Sequence, residues 1–105
     1  MIKHCVFCSF RTGVSETQRL EAVQSFEALV GQITGLISIK AGPNKDFEQK
    51  SGEFSHGFIA SFTNDAALQD YANHPAHQQL GKELVALCAG GADGIVVFDL
   101  VVDAN

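Results

Sequence analysis

Five side chains in this sequence have types and spacings suited to proton transfer: His4, His56, Tyr71, His77 and Asp99. An imidazole titrates near neutrality, so a histidine in a semi-apolar pocket can take or give a proton at working pH. A tyrosine beside it can donate a hydrogen bond to an enolate or alkoxide as charge develops there. Strand alternation groups His4 with Ile2, Val6, Cys8 and Phe10, and His56 with Phe54, Phe58, Ala60 and Phe62. His77 shares a helical stripe with Leu80, Leu84 and Cys88, because steps of three and four residues stay within a narrow arc. Three histidines are thereby aimed at one layer between sheet and helices. Asp99 is in phase with Ile95 and Val97 and is placed to orient one imidazole. In one unbroken helix Tyr71 and His77 would point apart; Pro75 between them predicts a break that brings them together. The structural alternative is that each histidine satisfies a buried polar partner, and pattern alone leaves both readings open.

The elements that would hold these groups are legible from periodicity. Residues 2–10 alternate with both faces largely apolar, which predicts a strand covered on both sides. Ser15-Glu16-Thr17-Gln18 fits a capping box, and Leu20, Val23, Phe26, Val30 and Ile33 continue at helical spacing until Gly35. Residues 36–41 predict a second strand that stops at Gly42-Pro43-Asn44, and residues 45–52 a polar loop. A third strand is predicted over 54–62. Thr63 or Asn64 then caps a short helix through Tyr71, a longer helix follows Pro75, and Gly90-Gly91 ends it. The last strand is predicted over 95–102. The order strand, helix, strand, strand, helix, strand defines an α+β class, a ferredoxin-like β-α-β-β-α-β sandwich with a four-stranded antiparallel sheet, in a single domain over 1–105.

Each helix has one apolar stripe, so both can lie on one face of that sheet. The other face would still carry Cys5, Phe7, Ile37, Ile39, Ile59, Val96, Phe98 and Leu100. Soluble monomers rarely leave so large a contiguous patch exposed. Pairing with a second copy through the sheet face, as a homodimer, is the simple way to cover it.

Composition removes several classes. Hydrophobic residues make up 46% and charged residues 18%, a globular balance, and a net charge of -5 with seven scattered basic residues argues against nucleic-acid and anionic-membrane partners. No apolar run is long enough to cross a bilayer. Met1-Ile2-Lys3-His4 enters the first strand directly, without the features of a secretory leader, so the expectation is a cytoplasmic protein with three reduced cysteines. Cys5 and Cys8 have C-x-x-C spacing, but strand positions three apart project to opposite faces, so they read as structural thiols. No carboxylate or cysteine pair completes a metal site with the histidines, and the expectation is no metal and no cofactor. Gly90-Gly91-Ala92-Asp93-Gly94 follows a helix and precedes a strand, the reverse of a phosphate cradle, and reads as a turn.

The opening Ile2-Lys3-His4 strand, the Gly52-x-x-x-His56 strand entry and the block Tyr71-Ala72-Asn73-His74-Pro75-Ala76-His77 resemble the stress-responsive dimeric α/β-barrel family, or Dabb, over nearly the whole chain. The resemblance implies a ferredoxin-like protomer and a homodimeric α/β barrel. A plant member of that family closes a linear polyketide by aldol condensation without a cofactor. Its histidine and tyrosine acid/base pair matches His77 and Tyr71, and its two further pocket histidines match His4 and His56. Two readings follow. One is a cofactor-independent cyclase or lyase acting on a small apolar carbonyl compound of β-keto or polyketide type. There His77 and Tyr71 are catalytic, and His4, His56 and Asp99 bind substrate. The other is a non-catalytic homodimer that binds a small ligand or accompanies a stress response. The sequence leaves enzyme status open.

Overall fold

The first strand, β1 (Ile2–Cys8), is the axis of the sheet. It pairs antiparallel with β3 (His56–Phe62) on one side and with β4 (Ile95–Val101) on the other. β2 (Leu36–Pro43) pairs antiparallel with β3, so the order across the sheet is β2-β3-β1-β4. The structure, a computed structural model, describes residues 1–103; Ala104 and Asn105, the end of the expected 1–105 domain, lie outside the described residues. Three α-helices cover one face: α1 (Glu16–Gln24), α2 (Asp65–Asn73) and α3 (Pro75–Leu87). The result is the ferredoxin-like β-α-β-β-α-β arrangement, with the second helical segment divided in two.

Local chemistry explains where the helices start. Ser15 accepts from the Gln18 backbone N–H while the Gln18 side chain accepts from the Ser15 N–H, the reciprocal capping box. Asn64 caps α2 by accepting from the Ala67 N–H. His74 ends α2 and opens α3. Its Nδ1 accepts from the Ala76 N–H at 3.1 Å, and Pro75 takes the first helical position, where its missing N–H costs nothing.

The structure departs from simple periodicity in three places. The helical stripe was expected to run Leu20, Val23, Phe26, Val30, Ile33, but α1 stops at Gln24 and a 3₁₀ segment covers Ser25–Leu29. With three residues per turn, Val23, Phe26 and Leu29 stack on one line and are almost fully buried, whereas Val30 turns outward. Ile39 was expected on the open face of the sheet and instead lies in the core at 5% exposure. A bulge between Leu36 and Ser38 inserts Ile37 as an extra residue, which shifts the alternation of everything after it. Finally, β1 ends at Cys8, with Phe10 making only an isolated bridge to Cys88, and β3 starts at His56 and not at residue 54.

The core lies between helices and sheet. Phe26 stacks on Phe58 at 4.5 Å between ring centroids and 23° between planes, and Phe62, Leu29, Val23 and Tyr71 surround them. Each fully buried side chain of this size contributes about 1.5–3 kcal/mol relative to exposure. On the opposite face Ile37, Ile59, Phe98 and Leu100 remain exposed in the protomer, and Phe7 and Val96 are half-buried. That is the apolar patch expected from the sequence, less Ile39, and with Cys5 on the same face but buried at 8% exposure.

Gly35 closes the first helical segment onto β2 with φ at +86°, and an added Cβ would lie 2.5 Å from Ala67 Cβ and 2.8 Å from Thr63 Oγ1. Gly35→Ala is therefore expected to destabilise the fold by roughly 2 kcal/mol, through left-handed strain and a forced shift of α2. Chemical unfolding checks this as a lowered denaturant midpoint at unchanged slope.

Candidate active site

The helices do not extend over the outer edge of the sheet, and between α3 and the β1–β4 edge they leave a cavity of about 640 Å³. His4 and Val6 of β1 and Ile95 and Val97 of β4 form its floor, Phe26 and Phe58 its inner end, and His77 with the following turns of α3 its wall. The sequence reading placed a pocket between helices and sheet; its exact position depends on where α3 stops short of β4.

His4 and Asp99 are direct partners across β1 and β4, and their side chains meet with Nδ1 to Oδ1 at 2.6 Å. An ionised carboxylate can only accept, so the His4 Nδ1–H donates and Nε2 is left as the basic nitrogen of the neutral ring. The pair is partly open to solvent, with His4 at 14% and Asp99 at 44% side-chain exposure.

The His74-Pro75 break brings Tyr71 and His77 together. Their ring centroids are 4.1 Å apart with a 40° tilt, and the Tyr71 ring also meets His4 edge-on at 5.6 Å. Tyr71 sits behind the two histidines and does not itself line the cavity. Its hydroxyl and His77 Nδ1 are buried without a hydrogen-bond partner among the described residues. Leaving a buried polar group unpaired costs on the order of 1–3 kcal/mol, so two beside one cavity are unusual. Burial pushes the Tyr71 hydroxyl well above its ordinary value. Burial likewise lowers His77 below its ordinary value, opposed by the nearby Ala72 carbonyl, which closes no hydrogen bond to Nδ1, and reinforced by His4 and His74. His77 is therefore neutral at pH 7, the form that can accept a proton.

His56 does not join this group. It faces the helix layer, as its alternation predicted, but it pairs with Cys8 whereas His4 pairs with Ala60. Those four positions along β3 span about 13 Å at the usual strand rise. Both its nitrogens are engaged: Nε2 donates to Glu16 at 2.7 Å, and Nδ1 accepts from the Ser55 hydroxyl at 2.7 Å. With its ring against Phe10, His56 ties α1 to the entry of β3, and the expectation that it reaches the same pocket is corrected. Alternation fixes a face; it does not fix a position along the strand.

No three His, Cys, Asp or Glu side chains come together as metal ligands would among the described residues. Cys5 lies on the open sheet face and Cys8 in the core beside Cys88, where burial first and then Cys88 push the Cys8 thiol up to about 12. A thiol held there is inert as a nucleophile. Gln78, Gly81 and Lys82 line the cavity and were missed by the sequence reading, which followed the apolar stripe of α3 and not its flank. Only Gly81 left a trace, as a poor helix former inside a helix.

The fold and cavity together define a ferredoxin-like α+β protomer with a histidine-walled pocket at its sheet edge. Residues 2–102 match the Stress responsive A/B Barrel Domain family, and the chain belongs to it. The stress-response A/B barrel domain-containing protein HS1 of Arabidopsis thaliana is 28% identical over 93% of this chain and 86% of its own length. Olivetolic acid cyclase of Cannabis sativa is 30% identical over 76% of this chain and 79% of its own length. Among solved structures, a dimeric ferredoxin-like protein of Jannaschia superposes with a TM-score of 0.88 at 42% identity, covering 96% of this chain and 98% of that one.

A histidine whose folded-state pKa lies below its unfolded value of 6.5 resists protonation more than the unfolded chain does. It contributes stability above pH 6.5, and that contribution is lost as pH falls through the folded value. The fall in stability between about pH 8 and about pH 5 is thus expected to be smaller in His77→Gln than in the parent, measured by chemical unfolding across that range. Tyr71→Phe, which removes an unpaired hydroxyl, is expected to leave stability unchanged or raise it by up to about 1 kcal/mol.

Proposed function

We propose that the cavity binds a small apolar carbonyl compound and that His77 and Tyr71 act on it as an acid/base pair, without a cofactor. The observation that carries this reading is His77 in the wall of a largely apolar cavity, with two buried polar atoms, its own Nδ1 and the Tyr71 Oη behind it, that have no hydrogen-bond partner among the described residues. His77, neutral at pH 7, takes a proton from carbon or oxygen of the ligand. The Tyr71 hydroxyl, with a raised pKa and no acceptor among the described residues, stays protonated; it lies behind His4 and His77 and becomes the donor to the oxygen that gains charge when a bound ligand parts those two rings. His4, held in one tautomer by Asp99, presents its second nitrogen to the ligand and orients it. Proton abstraction beside a carbonyl followed by ring closure is the reaction class, and the likeness to olivetolic acid cyclase supports a β-keto or polyketide-like compound.

The same protomer carries the open sheet face, and we propose that two copies pair through it. Ile37, Ile59, Phe98 and Leu100 are all at least 40% exposed, and covering several hundred Å² at roughly 25 cal/mol per Å² stabilises a pair by several kcal/mol before association costs. The dimeric state of the Jannaschia relative supports this. A dimer that only binds a ligand would share every feature except turnover.

The two readings separate in a steady-state assay on linear poly-β-keto thioesters, followed by loss of the linear compound and appearance of the cyclised product, a closure that releases water and keeps the thioester. His77→Ala is expected to lower kcat/KM by roughly 10²–10⁴-fold, and Tyr71→Phe by a smaller factor, with circular dichroism and melting temperature close to the parent. Ligand binding without turnover by the parent would leave the binding-only dimer standing, and unfolding of His77→Gln as well as His77→Ala would make the histidine structural.

A further inference from the structure

We infer that the cavity is shaped for an apolar molecule bearing one acidic group, with Lys82 as its counter-charge and Gly81 making room for its apolar body. This rests on the cavity being a ligand site and adds the class of ligand.

Most of the cavity wall is hydrocarbon, from Val6, Phe58, Leu84, Val85 and Ile95. Lys82 is the one lining residue with a permanent charge, it is exposed, and it makes no ion pair or hydrogen bond among the described residues. Gln78 lies one turn earlier on the same flank of α3, so an ammonium and an amide stand side by side at the mouth. The Asp99 carboxylate, the acidic group near the other wall, is already taken by His4. A carboxylate, enolate or sulfonate on an apolar body therefore finds its cation at Lys82, whereas a cationic ligand finds no free acid lining the cavity.

Gly81 is the second observation. It lies inside α3, where glycine is the poorest helix former after proline, and its backbone is not left-handed. A Cβ built there would meet nothing within 4 Å. Neither backbone geometry nor packing against a neighbour calls for glycine at this position. What a side chain would occupy is the cavity that Gly81 lines. The helix thus accepts a weak residue where the cavity gains space, and the size of residue 81 sets the width of the bound molecule.

Two dyes that share an aromatic body test this: anilinonaphthalene sulfonate and its uncharged parent, phenylnaphthylamine, titrated by fluorescence against the full chain. The parent protein is expected to bind both, the sulfonate more tightly. Lys82→Met is expected to weaken the sulfonate roughly fivefold and leave the neutral dye within about twofold. Gly81→Leu is expected to abolish both signals. Gly81→Ala is expected to raise the melting temperature by roughly 2–8 °C while weakening both dyes. Equal weakening of both dyes by Lys82→Met, or of neither, overturns the acidic-ligand inference while the cavity stands. Retention of both dyes by Gly81→Leu overturns the role of Gly81. If the parent binds neither dye, the cavity is no ligand site and the proposed function fails with it.

Discussion

A four-stranded sheet has two faces, and a chain of this length supplies helices enough to roof one. β1 makes that limit decisive, because it is central to the sheet and apolar on both sides, with Ile2, Val6 and Cys8 toward the helices and Cys5 and Phe7 away from them. The helix side is closed by Val23, Phe26, Leu29, Tyr71 and Leu84. The other side is left with exposed Phe98, Leu100, Ile37 and Ile59. The hydrophobic effect does not distinguish intramolecular from intermolecular burial, so the second face is as strong a demand as the first.

The cavity is a by-product of the same shortage. The α-helices make their main sheet contacts with β2 and β3, and β4 at the edge is left half-covered, with Val97 exposed on the helix side. His74-Pro75 sharpens this gap: one residue ends α2, caps α3 and redirects the chain, so that His77 turns back onto Tyr71 at the cavity wall. A single break in a helix thereby does what a dedicated loop does in larger proteins. It also leaves two buried polar atoms without partners among the described residues, an uncommon cost in a core.

Much of this was legible in the sequence because each feature follows from a strict period or a punctuating residue. The capping box at Ser15, the break at Pro75 and the turn at Gly90-Gly91 are local chemistry and came through. His4 and Asp99 came through because both alternate with apolar neighbours in uninterrupted strands. What failed was set by events the pattern does not encode. Ile39 changed face because of a bulge, and the Val30 position lost its place to Leu29 because the helix tightened into a 3₁₀ turn. His56 was right in face and wrong in reach, held by Glu16 from a helix forty residues earlier. Gln78 and Lys82 carry no periodic mark, since a cavity rim is defined by what is missing across from it.

The two-faced sheet is the premise that the fold, the edge cavity and the proposed pairing share, and sedimentation of the chain at low micromolar concentration tests it most directly. The account predicts a particle of about twice 11.2 kDa, converted to the protomer when Phe98 and Leu100 are both replaced by aspartate. A particle of 11.2 kDa for the unaltered chain, with Phe98 and Leu100 in water, would contradict it.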